Sequence, residues 1–170
     1  MRFKNGFTLI ELLVTLALVG IIAGFAIPSF AQLIANNRMS STSNVFIGAL
    51  NYARTEAVKR GRTVEITAIS SAGSANEWGG GWRVWVDQGS NGYDAGEEIR
   101  VYSDVSDKMT IDGPDALTTF GFRANGFVDP LPGGGAEYSF QLCDDRTGET
   151  GRIIRIHTSG RVRSDTITCG

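Results

Sequence analysis

Hydrophobic and polar positions fall into three regimes along the chain. From Phe7 to Ile27 almost every residue is apolar, and Glu11 is the only charge in 21 residues. As a helix this run would span about 31 Å, the thickness of a bilayer core. The stretch "NNRMSSTSN", Asn36 to Asn44, is polar. Beyond it Val45, Phe46, Ala49, Leu50, Ala53 and Ala57 recur at three- and four-residue spacing. That spacing predicts a helix with one face on a core. Glu56 and Arg60, four apart, are placed to pair on its outer face, and Gly61 suits the C-cap. The whole reads as one long helix, Phe7 to Arg60, broken at Pro28, whose ring removes a backbone donor. Gly20 and Gly24 weaken it just upstream, by about 1 kcal/mol each relative to alanine.

After Gly61 the pattern changes to short strands separated by turn residues. The expected strands are Thr63 to Ile69, Trp82 to Asp87, Glu98 to Tyr102, Leu117 to Arg123, Glu137 to Cys143, Arg152 to Thr158 and Arg161 to Ser164. "GGGW", "DQGSNGYDAG" and "DPLPGGG" read as loops. One N-terminal helix packed on antiparallel sheets is an α+β architecture.

Composition narrows the function classes. With 42% hydrophobic and 20% charged residues in 170, the chain suits one globular domain plus an extra segment. A formal net charge of -2 gives no bulk attraction to nucleic acid. Cys143 and Cys169 are the two cysteines. One disulfide is the simplest reading for an exported chain, and a reduced cytosolic pair is the alternative. A single histidine, His157, excludes a histidine-based zinc cluster. The sequence carries neither a Gly-x-Ser-x-Gly elbow nor a Gly-Lys-Ser/Thr phosphate loop. The chain therefore reads as a non-enzyme with no cofactor and no resident metal, and His157 as a structural residue. Asp87, Asn91, Gly92 and Glu98 fall at the first, fifth, sixth and twelfth places of a calcium loop, but Gly89 at the third offers no side-chain oxygen. A polar hairpin loop, signalled by Asn-Gly, accounts for the same residues.

The opening run admits three readings. It could be a secretory signal, with "GFA" at Gly24 to Ala26 as the cleavage site. It could be a plain anchor, in which Glu11 costs about 3 kcal/mol at membrane depth to no purpose. Or the glutamate has a partner. The residues "KNGFTLIELLVTLALVGIIAGFAIPSF" resemble the N-terminus of type IV pilins and type II secretion pseudopilins. That resemblance implies a six-residue leader, residues 1–6, removed by prepilin peptidase between Gly6 and Phe7. Phe7 then becomes the N-methylated first residue. Residues 7–29 would form the membrane and fibre-assembly helix, and residues 30–170 a periplasmic pilin-like globular domain. Glu11 would sit near the N-terminal amine of a neighbouring subunit, so that a carboxylate costly alone in lipid gains a charge partner. The implied location is the bacterial inner membrane, as a single-pass protein, and then a fibre of other pilins or pseudopilins. Loss of Arg2 and Lys4 with the leader leaves 14 basic against 18 acidic side chains, from 16 and 18.

"GWRVWVDQGSNGYDAGEEIRVY", "FGFRANGFV" and "SGRVRSDTITC" resemble the GspH/FimT branch of minor pilins and pseudopilins. From Gly151 onward the chain has Arg152, Arg155, Arg161 and Arg163 against one acid, Asp165, whereas residues 87–115 carry eight acids against Arg100 and Lys108. On a strand Arg161 and Arg163 point to one side, and paired guanidinium forks suit phosphate oxygens. Gly160 to Arg163 matches the Gly-Arg-x-Arg motif of DNA-binding FimT-like minor pilins. The resemblance implies sequence-independent binding of double-stranded DNA by these arginines, for uptake in natural transformation. The alternative is a GspH-like pseudopilin of a type II secretion system, with the arginines blunting an edge strand or pairing with the acidic loops.

Overall fold

A computed structural model describes residues 6–70, 76–88, 92–103, 105–129 and 135–170. The chain divides into two compact units, Met1–Arg38 and Met39–Gly170, each described by itself. The expected boundary after residue 29 falls within the first of these.

The first unit is the apolar part of helix α1, which runs Leu9–Arg60. Its large hydrophobic side chains from Leu9 to Ile34 are all exposed. The helix is continuous through Pro28 rather than broken there. An interior proline removes one backbone hydrogen bond and crowds the i−4 carbonyl, a local weakening that the helix spans here. One residue on, Ser29 Oγ donates to the Phe25 carbonyl at 3.2 Å, an extra bond in the weakened turn.

In the second unit α1 buries Met39, Ser43, Phe46, Ala49, Leu50, Ala53, Glu56 and Ala57. This is the apolar stripe read from the sequence, lengthened by nearly two turns through Met39 and Ser43. Val45 is the exception and stays exposed. Gly61 ends the helix at φ +64°, and the Arg62 amide donates back to the Ala57 carbonyl at 3.3 Å. This is the six-to-one bond of a Schellman cap. Glu56 and Arg60 pair at 2.7 Å as expected. Glu56, however, is buried rather than on the outer face. The Arg60 hydrogen bond holds its carboxyl below the usual range against the opposing pull of desolvation.

Two four-stranded antiparallel sheets complete the unit. Strands β1 (Val64–Ala68), β2 (Trp82–Trp85), β3 (Glu98–Tyr102) and β5 (Thr119–Phe122) form one, in the order β3-β2-β1-β5. Strands β4 (Met109–Asp112), β6 (Glu137–Asp144), β7 (Thr150–His157) and β8 (Val162–Thr168) form the other, in the order β4-β6-β7-β8. Strand β4 was not expected from the sequence. β8 runs four residues beyond its expected end, through the β-branched "TIT", and leaves Arg161 just outside it. Phe46 meets Trp82, Phe140 and Trp78 edge-on at centroid separations of 4.9, 5.3 and 5.8 Å. Helix and both sheets thus share one aromatic core.

At the end of β4 burial raises the Asp112 pKa, and the neighbouring Glu77 carboxyl adds to the rise. A raised folded-state pKa means that the folded protein holds this proton more tightly than the unfolded chain. The stability it contributes is complete below the usual carboxylate pKa and is lost as pH rises through the folded value. Asp112→Asn should therefore flatten the fall in melting temperature from about pH 4 upward and leave the variant at least as stable as wild type at pH 7. Thermal unfolding monitored across that range is the check, and an unchanged slope would exclude Asp112 as its source.

Candidate functional site: the arginine hairpin and the helix start

The turn from β7 to β8 carries the Gly-Arg-x-Arg segment. The Gly160 amide donates to the His157 carbonyl at 2.7 Å, and the His157 amide donates to the Arg161 carbonyl at 2.9 Å. Gly160 sits at φ +77°. A Cβ there would collide with the carbonyl oxygen of Gly126 and lie 2.8 Å from Arg54 Nε. The motif glycine is thus required twice, by backbone conformation and by close approach. Arg54, on α1, reaches across to bind both neighbouring turns. Its Nε donates to the Gly126 carbonyl at 3.0 Å and its Nη2 to the Ser159 carbonyl at 3.2 Å. A stripe of apolar positions gives no signal for this polar tether, and sequence reasoning missed it.

Three of the four tail arginines share the outer face of the second sheet. Arg155 and Arg163 are direct cross-strand partners, and β6 supplies Ser139 opposite Arg155. Two like charges set opposite each other repel, and two acids compensate them. Arg155 Nη1 meets Asp165 at 2.5 Å and its Nε lies 3.4 Å from Glu137. Arg163 Nη2 meets Glu137 at 3.1 Å, with Asp165 3.9 Å from its Nε. The acidic loops of residues 87–115, one partner offered by the alternative reading, do not supply these ion pairs among the described residues. Arg161 is exposed and has no ion-pair partner among the described residues. Arg161 and Arg163 line one open groove of about 210 Å³ with Glu137, His157 and Ser159, so they do face the same side. Arg152 does not join them. It is half-buried on the opposite face, in a groove lined by Ser40, Ser43, Asn44, Ile47 and Ser164. The odd-even alternation of a strand separates positions 152 and 155, which composition alone had grouped together.

Cys143 and Cys169 are disulfide-bonded, with their Cα atoms 5.9 Å apart. The bridge ties the end of the chain to β6 and passes against Gly151 of the intervening strand. A Cβ on Gly151 would run into Cys169 Sγ and lie 2.5 Å from the Leu142 carbonyl.

The acidic loop binds its own backbone. Asp87 Oδ2 accepts from the Gly92 amide at 3.1 Å, and Glu97 accepts from the Gln88 and Asp94 amides at 2.8 and 3.0 Å. Glu98 accepts from the Tyr93 hydroxyl and the Gly96 amide, which together hold its carboxyl below the usual range. Gly89 and Asn91, at two of the calcium-loop places, lie outside the described residues. Among the described residues no three potential ligands converge on a point.

At the other end of the chain Gly6 and Phe7 are exposed ahead of the helix. Thr8 is its N-cap. The Glu11 amide donates to Thr8 Oγ1 at 3.3 Å, while Glu11 Oε2 accepts from the Thr8 amide and hydroxyl at 3.4 and 3.3 Å. This is a reciprocal capping box. Its Thr-x-x-Glu signature stands in the sequence, overshadowed by the lipid-like run around it.

The sequence profile described as Type II transport protein GspH matches residues 42–160. The chain belongs to the GspH family of pilin-like proteins. A second profile, the prokaryotic N-terminal methylation motif, matches residues 1–27, which include Gly6, Phe7 and Glu11. Pilin-like protein PilA1 of Thermus thermophilus is 33% identical over 99 residues, 56% of this chain and 57% of that protein. Fimbrial protein EcpC of Eikenella corrodens is 40% identical over 44 residues, 26% of this chain and 29% of that one. The chain thus spans little more than half the length of the first of these curated relatives and less than a third of the second. Among solved structures, the type IV minor pilin FimU of Pseudomonas aeruginosa superposes in two crystal forms. The TM-scores are 0.64 and 0.60, at 24% and 26% identity, covering 78% and 74% of this chain and 92% and 91% of FimU. The α+β pilin-like fold is therefore the one read from the sequence. The GspH match stops at Gly160, so Arg161 and Arg163 of this pilin-like protein lie beyond the family's matched span.

The two roles of glycine can be separated. Gly148 has φ +75° but open space around it, whereas Gly160 is both left-handed and crowded. Gly148→Ala should cost about 1 kcal/mol, from backbone strain alone. Gly160→Ala should cost more than about 2 kcal/mol, because the Gly126 carbonyl and Arg54 must also move. Urea denaturation of both variants measures the difference, and equal costs would show that the hairpin tip is not tightly seated.

Proposed function

We propose that this protein is a minor subunit of a type IV pilus-like fibre, made as an inner-membrane precursor whose globular domain lies in the periplasm. Prepilin peptidase cuts it between Gly6 and Phe7 and methylates Phe7. The observation that carries this reading is the helix start. A run of exposed apolar side chains from Leu9 to Ile34 contains one carboxylate, and among the described residues the Glu11 side chain bonds only to Thr8. A capping box satisfies hydrogen bonds but leaves the charge of Glu11 uncompensated. The Phe7 amine of a neighbouring subunit, freed by the cut, supplies the opposite charge and sets axial register. The minor-pilin fold of FimU and the N-terminal methylation motif support the same reading. Mass spectrometry of the protein from a host with the peptidase should find a chain starting at N-methylated Phe7. Glu11→Ala should still be cut, yet be lost from sheared fibres.

A finer reading is that Arg161 and Arg163, with Arg155 behind them, capture duplex DNA for uptake. It is supported by the exposed Arg161, without an ion-pair partner among the described residues, beside Arg163 on an open groove. The three arginines exceed Glu137 and Asp165 by one charge, so a single subunit makes a weak, backbone-directed contact. In gel shifts with the full chain in detergent micelles, Arg161→Ala should weaken DNA binding and lower the salt slope by about 1. Glu137→Gln removes one of the two carboxylates that compensate Arg155 and Arg163, leaving Asp165, and should tighten binding roughly threefold at low salt. Wild-type protein that binds no DNA at low salt would leave the reading named by the family profile, a structural pseudopilin of type II secretion.

A further inference from the structure

His157 is the chain's only histidine, and it lies in the arginine groove. Its ring is oriented by the turn it belongs to. The Ser159 backbone amide donates to Nδ1 at 3.1 Å, and Ser159 Oγ lies 2.8 Å from the same nitrogen. A backbone amide can only donate, so Nδ1 must present its lone pair, and the ring proton belongs on Nε2. Nε2 is on the far side of the ring from Ser159 and has no partner among the described residues. Across the strands stand Glu137, the register partner of His157, and Arg161, whose carbonyl accepts the His157 amide. Glu137 is already engaged by Arg155 and Arg163.

We infer that His157, Arg161 and Arg163 form a seat for a single phosphate-type oxyanion, in which neutral His157 supplies an Nε2–H donor beside the two guanidinium groups. The seat rests on the DNA-capture reading and gives it a specific point of contact. The ligand class is a phosphodiester oxygen, because the donors are few, converge on one small open groove, and include no base-reading surface. Ser159 acts as a positioning residue. By occupying Nδ1 it fixes the tautomer, and Gly160 and Arg54 fix Ser159. A neutral donor leaves a particular signature. Counterion release counts charges, so losing His157 lowers affinity without altering the salt slope, whereas losing an arginine lowers both.

The test uses the full chain in detergent micelles. Long-range ¹H–¹⁵N correlation spectra of the free protein at pH 7.5 should show the Nε2–H tautomer of His157. His157→Phe should weaken duplex DNA binding roughly fivefold, the worth of one neutral hydrogen bond, at unchanged salt slope. His157→Gln, whose amide can place a donor near the Nε2 position, should bind closer to wild type. Unfolding curves of both variants separate a lost contact from a lost fold. An Nδ1–H tautomer, undiminished binding by folded His157→Phe, or a changed slope would each overturn the seat while leaving the arginine reading intact. Wild-type protein that binds no DNA at low salt would sink both.

Discussion

The seating of Phe46 is the constraint on which the globular unit depends. This one ring, fully buried on α1, meets Trp82 of the first sheet, Phe140 of the second, and Trp78 of the segment leading into β2. Edge-to-face contacts of this kind add about 0.5–1.5 kcal/mol each beyond simple burial. Truncating a buried phenylalanine costs about 3–5 kcal/mol, a large part of a small domain's stability. The sheets also meet directly through Phe120 and Phe140, 5.6 Å apart, and Phe46 seats the helix on that contact. Two turns further along α1, Arg54 extends the same registration to the surface. Once Phe46 fixes the helix on the sheets, Arg54 reaches the Gly126 and Ser159 carbonyls and holds the β7–β8 tip where it is.

The hairpin is therefore an extension of the core. Gly160 admits the close approach of Gly126 and Arg54, and Gly151 admits the disulfide that pins the strand after the hairpin. Closing a loop of 26 residues contributes about 3–4 kcal/mol in the chain-entropy model. An arginine presented from such a frame loses little conformational freedom on contact with a ligand, in contrast to one on a loose tail.

What the sequence made legible follows from physical periodicity. The stripe from Phe46 to Ala57 announced a helix on a core, and the lone carboxylate in an apolar run singled out Glu11. The Gly61 cap and the pairing of two cysteines in a chain read as exported were legible for the same kind of reason. Strand β4 was hidden by brevity. Met109 and Ile111 do alternate with Thr110 and Asp112, but four residues between acidic neighbours give a weak period-two signal. Glu56 was placed outside because charge argues for solvent, whereas Arg60 and Lys59 accompany it at a buried position. The ion network of Glu137, Arg155, Arg163 and Asp165 was illegible for a deeper reason. It depends on the register between three strands, and a shift of one residue would have sent each of these side chains to the other face. Arg54 belongs with it, since a contact across 72 or 105 residues leaves no local trace.

That register also sets what the hairpin can do. With Arg155 and Arg163 each shared between two carboxylates, Arg161 is the one of these three arginines with no ion-pair partner among the described residues. In the proposed DNA-capture reading, polyanion binding would draw Arg163 partly away from Glu137, so intrinsic affinity would be low and sensitive to salt. A low intrinsic affinity suits a fibre subunit in the proposed function. Contacts from several copies along one fibre act at the high effective concentration set by their spacing, and weak sites then hold a long polymer collectively. Under that proposal each single site would still release quickly, so a captured strand could shift along the fibre as it moves. The acids that compensate the arginine pair also keep a basic edge strand from attracting every anionic surface it meets. On this account Glu137 and Asp165 are part of the binding device, since they set how strongly one subunit can bind alone.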